Sequence, residues 1–272
     1  MDEGSELSAV VGPLGPPAVA HGVAVEWRNC ASKLFKRAQC SASAATLTPE
    51  QQRAEEYNRT MQKKMSNPFE YHPELGLYYH EVAPGLLCGT QLRTPADIER
   101  LAGEEGVNVV VSLQQGCDLA AWGVNFADLQ WRAGELSVSL QRCPAVDFDP
   151  HSLRRTLPVA VSRIADAAKA GKRVYVHCTA GLGRAPAACI AYLYWVSSDE
   201  TMREGSNWSL TKAYERVTSI RPCGPKRDAV RGATFDLLDS RPHSAFSSLP
   251  GDAYSFLSDH DRDKLQGRLA DR

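Results

Sequence analysis

The chain has 272 residues, enough for one domain with additional segments at its ends. Its 31 lysine and arginine residues nearly cancel its 32 aspartate and glutamate residues, so the charge balance predicts neither a nucleic-acid partner nor an anionic membrane partner. The longest apolar run is about ten residues, well short of the roughly 20 that a membrane-spanning helix needs. These properties are typical of a soluble globular protein, which we expect to be a monomer.

Residues 1–50 differ in composition from the rest of the chain. The run Gly12-Pro13-Leu14-Gly15-Pro16-Pro17 excludes regular structure, and residues 41–48 are small and polar, so we predict a disordered segment. Residues 27–49 contain four basic residues and no acidic residue, a bias that resembles a plastid transit peptide and predicts a chloroplast location, with the cytosol as a further location. The start Met1-Asp2-Glu3 is atypical of such a peptide, so a solvated tail is the alternative.

The remaining sequence predicts a lead-in helix over 51–66, a domain over 67–240 and a C-terminal motif over 241–272. Strands are predicted from apolar, β-branched and aromatic runs, at 78–82, 86–89, 107–113, 136–140 and 173–177. Helices are predicted at 152–170, 184–198, 209–220, 226–239 and, in the tail, 252–269. Because helices lie between and after the strands, we expect an α/β fold with a central sheet. We assign no function to the polar loop at 198–208.

The most informative motif follows the strand predicted at 173–177. It reads Cys178-Thr179-Ala180-Gly181-Leu182-Gly183-Arg184 and leads into a helix. At such a turn the N–H groups of residues 179–184 can converge on a phosphoryl group, whose charge the helix N-terminus favours. A thiol in this position ionises readily, so we predict that Cys178 is a nucleophile and that Arg184 binds two phosphoryl oxygens. The motif therefore predicts a phosphatase that needs no metal or cofactor.

A thiolate cannot protonate a leaving alcohol, so this chemistry needs a separate general acid. The candidates are Asp147 and Asp149, in the loop at 143–150 between a predicted strand and a predicted helix. Asp149 precedes Pro150 and is also suited to starting the helix. We favour Asp147, although spacing alone does not separate the two.

These residues resemble a known family. Cys-x5-Arg with an aspartate about thirty residues before the cysteine resembles the dual-specificity protein tyrosine phosphatases. The sequence from Cys178 to Pro186 is similar to that of the glucan phosphatases, which include animal laforin and the plant Starch-excess-four and Like-Starch-excess-Four group. Further similar stretches are Gln114-Gln115, Asp118, Trp122-Gly123, Asp147-Phe148-Asp149, residues 221–225 and residues 231–234. The resemblance extends over roughly residues 55–272.

The resemblance implies a phosphatase domain with a central mixed sheet flanked by helices and a C-terminal helical tail packed on it. It also implies removal of phosphate, preferentially from glucose C3, from phosphorylated starch, with Asp147 as the general acid. Tyr79, Trp122 and Phe148 match family positions that line a glucan channel, although core packing is the usual fate of such aromatic residues. The alternatives are a dual-specificity protein phosphatase and an inactive glucan-binding scaffold.

Three positions depart from the expected pattern. Ala185 stands where most Cys-x5-Arg enzymes have a hydroxyl, Cys143 where close relatives have arginine, and Ala121 where an aromatic residue is usual. The eight cysteines have neither zinc-ligand spacing nor the pattern of a disulfide scaffold. The family places Cys117 and Cys143 near the active site, so either is a candidate for a reversible disulfide with Cys178.

Overall fold

The computed structural model describes residues 47–65, 68–197 and 208–272. Residues 1–46 of the predicted disordered or transit segment 1–50, and nearly all of the loop at 198–208, lie outside these residues. The last two residues of that segment, Pro49 and Glu50, instead begin a helix. Residues Leu47–Arg272 form one compact unit.

A five-stranded sheet forms the centre of this unit. Its strands are β1 (Tyr79–Ala83), β2 (Leu86–Gly89), β3 (Val107–Ser112), β4 (Ser139–Arg142) and β5 (Arg173–His177). The spatial order is β1-β2-β5-β3-β4, with β1 antiparallel to β2 and the other neighbours parallel. This arrangement confirms the predicted mixed sheet.

The four parallel strands end at the same edge of the sheet. The loops after β3, β4 and β5 therefore lie close together, where open α/β sheets commonly bind ligands. The loops after β4 and β5 carry Asp147 and Cys178, and Asp118 lies in the short helix Gly116–Ala121 that follows the loop after β3.

Nine α-helices surround the sheet in the described part of the chain. They are α1 (Pro49–Met65), α2 (Pro95–Glu105), α3 (Gly116–Ala121), α4 (Phe126–Glu135), α5 (Pro150–Lys169), α6 (Arg184–Trp195), α7 (Leu210–Ile220), α8 (Arg227–Leu238) and α9 (Asp259–Ala270). Helices α2 and α4 pack on each other, with α2 on β3 and α4 on β4, whereas α5 and α6 pack on each other and on β5. Apart from Tyr192, every residue of α6 is buried, as expected for a helix that is apolar on all sides.

Two predicted elements are displaced. The strand predicted at 136–140 begins only at Ser139, because Ser137 has φ +55 and the N–H of Val138 still donates to Ala133 at the end of α4. The tail helix predicted at 252–269 begins at Asp259. Tyr254 has φ +57, which is incompatible with a helix through that residue, and Ser258 caps α9 instead.

The C-terminal tail packs on the domain, as predicted. Leu265 and Leu269 of α9 are buried, and α9 contacts α5, α6 and α8. Arg231 of α8 donates to the carbonyl groups of Pro250 and Ala253 at 2.7 and 2.9 Å. Within the described residues, none of the helices combines the length and apolar character that crossing a membrane requires.

Candidate active site

The loop from Cys178 to Gly183 joins β5 to α6. Gly181 has φ +66, a conformation that glycine adopts without steric cost, and a Cβ there would collide with Arg221 and the backbone of Gly89. The loop is therefore pressed closely against the end of β2. Its amides lie at the N-terminus of a twelve-residue helix, where an anion is favoured.

Cys178 is a free thiol with 3% of its surface exposed. The preceding His177 is equally buried, and burial lowers the pKa of this imidazole to about 4. His177 is therefore neutral near pH 7 and adds no positive charge beside the thiol. Any cation that assists Cys178 must come from another element.

Arg184 supplies such a cation from the first position of α6. Its Nη1 donates to Asp118 Oδ2 at 2.6 Å and to the carbonyl of Ala145 at 2.9 Å. Its Nη2 donates to Thr179 Oγ1 at 3.1 Å and lies 2.9 Å from Asp147 Oδ2. Burial acts to lower the pKa of Arg184, but the surrounding anionic groups, Asp147 first, raise it above its usual range.

The Nε–H of Arg184 is buried and has no hydrogen-bond partner among the residues that the structure describes. Leaving a buried donor unpaired is costly, so such a group calls for an explanation. The Nε–H and one Nη–H of a guanidinium form a fork that suits two oxygens of a phosphoryl group. The structure thus provides a free donor on the first residue of α6, directly after the loop that carries Cys178.

The two candidate acids have different environments. Asp149 caps α5 by accepting from the N–H groups of His151 and Ser152, and these hydrogen bonds lower its pKa. Asp147 is largely buried, and burial raises its pKa despite the opposing effect of Arg184. Asp147 is therefore the carboxyl group that lies with Arg184 and is more easily protonated.

Tyr57, which the sequence analysis did not single out, also contacts this group. Its hydroxyl donates to Asp147 Oδ2 at 2.8 Å. The contact joins residues ninety positions apart, so no local pattern indicated it. The sequence signal for it was the one aromatic residue in the mostly polar segment 51–64.

A second group supports the loop from the side of β2 and β3; the sequence indicated its members Gln114 and Thr179 but not Gln91 and Tyr71. The side chain of Gln114 donates to Gln91 at 2.9 Å and to Thr179 Oγ1 at 3.2 Å. The N–H of Gln91 donates to the carbonyl of Thr179 at 2.9 Å, and its side chain donates to Tyr71. Because these residues are buried, the network fixes the start of the loop in one position.

Arg221, at the end of α7, supports the loop from behind. It is fully buried, and its Nε and Nη2 donate to the carbonyl groups of Gly181 and Ala180 at 2.7 and 3.2 Å. Its Nη1 lies 3.3 Å from Nδ1 of His80. Burial and then Arg221 lower the pKa of His80 to about 4, so this imidazole is neutral and able to accept from the guanidinium.

The structure brings Trp122 and Phe148 together but not Tyr79. The rings of Trp122 and Phe148 lie 5.8 and 5.6 Å from that of Tyr57. Trp122 is only 7% exposed, whereas Phe148 is partly exposed and lines a small depression with Gly183 and Arg184. The hydroxyl of Tyr79 instead donates to Glu105 at the end of α2, at 2.8 Å.

All six cysteines in the described part of the chain are free thiols. Cys117 is exposed, whereas Cys143 is buried, and this burial raises the pKa of Cys143. A raised pKa leaves less of the thiolate that disulfide exchange requires. The disulfide between Cys178 and either residue stays a prediction. The described residues include no cluster of three or more side chains suited to a metal ion.

Comparison with known proteins identifies similar sequences. Residues 102–228 match the family described as the dual specificity phosphatase catalytic domain, which confirms the predicted fold. The chain is 35% identical over 213 residues to phosphoglucan phosphatase DSP4, amyloplastic, of Castanea sativa, an alignment that covers 78% of this chain and 54% of that protein. It is 28% identical over 203 residues to phosphoglucan phosphatase LSF1, chloroplastic, of Arabidopsis thaliana, covering 75% of this chain and 32% of that protein.

The chain therefore spans about half the length of the Castanea relative and about a third of the Arabidopsis relative. Among solved structures, the crystal structure of PTPMT1 aligns with 72% of this chain and 100% of its own, at 19% identity and a TM-score of 0.47.

Proposed function

We propose that this chain, which belongs to the dual-specificity phosphatase family, removes phosphate from a phosphorylated starch-like glucan. The observation that carries the chemistry is the buried guanidinium of Arg184, which has a free Nε–H and belongs to the first residue of α6, directly after the loop that carries the thiol of Cys178. Two relatives named as phosphoglucan phosphatases, aligned over three quarters of the chain, support the choice of substrate.

The proposed reaction has two steps. The Cys178 thiolate attacks phosphorus, the bond from phosphorus to the glucose oxygen breaks, and Asp147 gives its proton to that oxygen. Arg184 and the amides of Thr179, Ala180, Gly181, Leu182 and Gly183 bind the non-bridging oxygens. Water then attacks phosphorus, Asp147 takes a proton from that water, and the sulfur leaves as thiolate together with inorganic phosphate.

A direct experiment measures phosphate release from phosphorylated amylopectin and from a panel of phosphopeptides. We expect the glucan to be the better substrate and Cys178→Ser to abolish its hydrolysis, because the hydroxyl does not ionise at neutral pH. Preferential hydrolysis of phosphopeptides would support a dual-specificity protein phosphatase. Binding of glucan without turnover by the unmodified protein would indicate an inactive scaffold.

The regiospecificity and the location are also proposals. The resemblance to the glucan phosphatases supports a preference for the C3 phosphate, which amylopectin labelled at C3 or at C6 would test. The relatives named amyloplastic and chloroplastic support a plastid location, with residues 1–50 as the transit peptide. Fusion of these residues to a fluorescent protein should direct it to plastids, and cytosolic fluorescence would contradict this assignment.

A glucan wall formed by Trp122 and Phe148 makes a separate prediction. Ring contacts are worth about 0.5–1.5 kcal/mol each, and p-nitrophenyl phosphate is too small to use them. Trp122→Ala and Phe148→Ala should therefore reduce activity on amylopectin several-fold more than activity on p-nitrophenyl phosphate. Trp131→Ala, which removes an indole that is 64% exposed on α4, should leave the ratio unchanged.

A parallel loss of both activities, with a large fall in melting temperature, would mean that these rings serve the core. Trp122 is the more informative of the two positions, because its ring is buried and a role in the core therefore has to be tested there.

A further inference from the structure

Helix α1 lies outside the sheet but contacts the loop that carries the proposed acid. Tyr57 reaches two successive residues of that loop. Its hydroxyl donates to Asp147 Oδ2 at 2.8 Å, and its ring lies 5.6 Å from the ring of Phe148. The next turns of α1 bring Lys64 Nζ to 5.4 Å from the same phenylalanine ring.

This helix is firmly attached to the domain. The side chain of Asn58 accepts from the N–H of Tyr71 at 2.7 Å and donates to its carbonyl at 3.0 Å. Met61 is 1% exposed, and Glu50 forms an ion pair with Arg93 at 2.5 Å. Tyr57 therefore projects from a fixed support.

The acid loop itself needs such a support. Phe148 has φ +61, a conformation that costs a residue other than glycine roughly 1–2 kcal/mol. A residue is kept there only where surrounding contacts compensate for the strain. The ring of Tyr57 supplies one of these contacts, and its hydroxyl bond to Asp147 supplies another.

The charged and titratable groups around Asp147 come from three elements. Arg184 of α6 contacts Oδ2 at 2.9 Å, Asp118 of α3 acts as a nearby anion, and Tyr57 of α1 donates to Oδ2. The N–H of Phe148 donates to Oδ1 at 3.0 Å. A phosphoryl group bound by Arg184 competes for that guanidinium, after which Tyr57 is the side-chain donor that continues to hold Asp147.

Tyr57 remains a donor throughout the working pH range. Burial, followed by the nearby Asp147, raises the pKa of its phenol well above the ordinary value. Its hydroxyl bond favours the ionised form of Asp147 and so acts to lower the pKa of that carboxyl group. Loss of the hydroxyl should accordingly raise the pKa of Asp147.

We propose that Tyr57 is a positioning residue, which holds Asp147 in place for proton transfer to the leaving oxygen. This inference rests on the proposed phosphatase mechanism but not on the identity of the substrate. Helix α1, which precedes the sheet, would then take part in the reaction. It would do so by contacting the proposed acid and not the phosphoryl group.

The test compares Tyr57→Phe with the unmodified protein on phenyl phosphate and p-nitrophenyl phosphate. Phenolate leaves poorly without a proton, so kcat for phenyl phosphate should fall about three- to tenfold, the usual effect of losing one hydrogen bond. The loss on p-nitrophenyl phosphate should be smaller. The alkaline limb of the kcat profile, which reports ionisation of the acid, should move to higher pH.

The decisive measurement repeats Tyr57→Phe in an Asp147→Asn background. If Tyr57 acts through Asp147, the second substitution should have no further effect on kcat. Equal losses in both backgrounds, or an unshifted pH profile, would overturn the proposal. Tyr194→Phe, which removes another tyrosine hydroxyl bonded at 2.7 Å to a main-chain carbonyl, controls for a general effect of such a loss on stability.

If Tyr57→Phe does not fold, Asn58→Ala takes its place, because it loosens α1 and retains the phenol. Its loss of kcat should likewise disappear in the Asp147→Asn background, and persistence there would contradict the proposal. Hydrolysis of aryl phosphates without activity on amylopectin would refute the proposed glucan substrate and leave the role of Tyr57 intact.

Discussion

Asp147 and Asp149 lie two positions apart, but their different surroundings shift the pKa values of their carboxyl groups in opposite directions. Asp149 accepts two main-chain hydrogen bonds at the start of α5, which favour its carboxylate. Asp147 is largely buried beside Arg184, and its burial favours the protonated form. The sequence could narrow the choice of acid to this pair, but separating them required knowledge of which carboxyl group is buried.

The raised pKa of Asp147 has a consequence for stability. The carboxyl group of Asp147 ionises at a higher pH in the folded protein than in the unfolded chain. The free energy of unfolding therefore falls as the pH rises through the folded-state pKa. Asparagine carries no such charge, so Asp147→Asn should raise the melting temperature at pH 8. The gain should disappear below about pH 3.9, the ordinary value for aspartate, where both states are protonated. Thermal unfolding at the two pH values measures this difference.

Asp149→Asn is the matched control, with the opposite sign. Because hydrogen bonds lower the pKa of Asp149, its carboxylate stabilises the fold above the ordinary aspartate pKa, and this contribution is lost as the pH falls. Asp149→Asn should therefore lower the melting temperature at pH 8. A destabilising effect of both substitutions at pH 8 would mean that the pairing of Asp147 with Arg184 outweighs the cost of its burial.

At the level of elements, the Cys178 loop depends on a residue that belongs to another helix. Arg221 binds the carbonyl groups of Ala180 and Gly181 and so fixes the orientation of their peptide planes. With these oxygens held by Arg221, the loop amides remain available for an anion. The glycines allow the backbone of this loop to adopt its conformation. The buried guanidinium of Arg221, about forty residues away in the sequence, stabilises that conformation.

Arg221→Met should accordingly weaken binding of inorganic phosphate. Hydrogen bonds from a charged group are worth about 1.5–3 kcal/mol, so we expect the inhibition constant of phosphate to rise about tenfold or more. Competition against p-nitrophenyl phosphate measures it. Arg216→Met is the control, because this arginine lies on the same helix but donates to Val82, away from the loop. Similar effects of both substitutions would argue against a specific role for Arg221.

The elements also differ in how well the sequence predicts them. The strands β2, β3 and β5 are buried apolar runs, and the predicted bounds match them to within one residue. β4 has a mixed composition, and its start is set by Ser137 at the end of α4, which no periodicity indicates. The contacts of Tyr57, Gln91 and Arg221 could not be predicted, because each depends on the tertiary fold.

At the scale of the whole molecule, the C-terminal tail is part of the domain's hydrophobic core. Leu265 is fully buried in α9, and Lys264 and Arg268 donate to the last carbonyl groups of α8. The tail therefore satisfies polar groups at the end of a helix and also covers apolar surface. Its removal would leave both exposed.

Leu265→Ala should lower the free energy of unfolding by about 2–5 kcal/mol, the usual range for a buried leucine. Because the substitution lies outside the active site, kcat on p-nitrophenyl phosphate should be unchanged at temperatures where the variant is folded. Gln266→Ala, at the neighbouring exposed position of α9, should have little effect on either quantity. Denaturant titration and steady-state kinetics measure the two, and a stable Leu265→Ala variant would contradict the assignment of the tail to the core.

In the proposed reaction, the contact between Arg184 and Asp147 also bears on how phosphate leaves the site. Inorganic phosphate leaves behind a buried guanidinium that is still paired with Asp118 at 2.6 Å, and a buried cation with only one carboxylate partner would retain the product more tightly than one with two. Once Asp147 has released the proton that it took from water, its carboxylate, 2.9 Å from Nη2, provides an anion that exchanges with the departing phosphate. Product inhibition should therefore be weak at a pH where Asp147 readily loses that proton, and stronger in Asp147→Asn, so that release of phosphate depends on the ionisation of the same group that acts as the proposed acid.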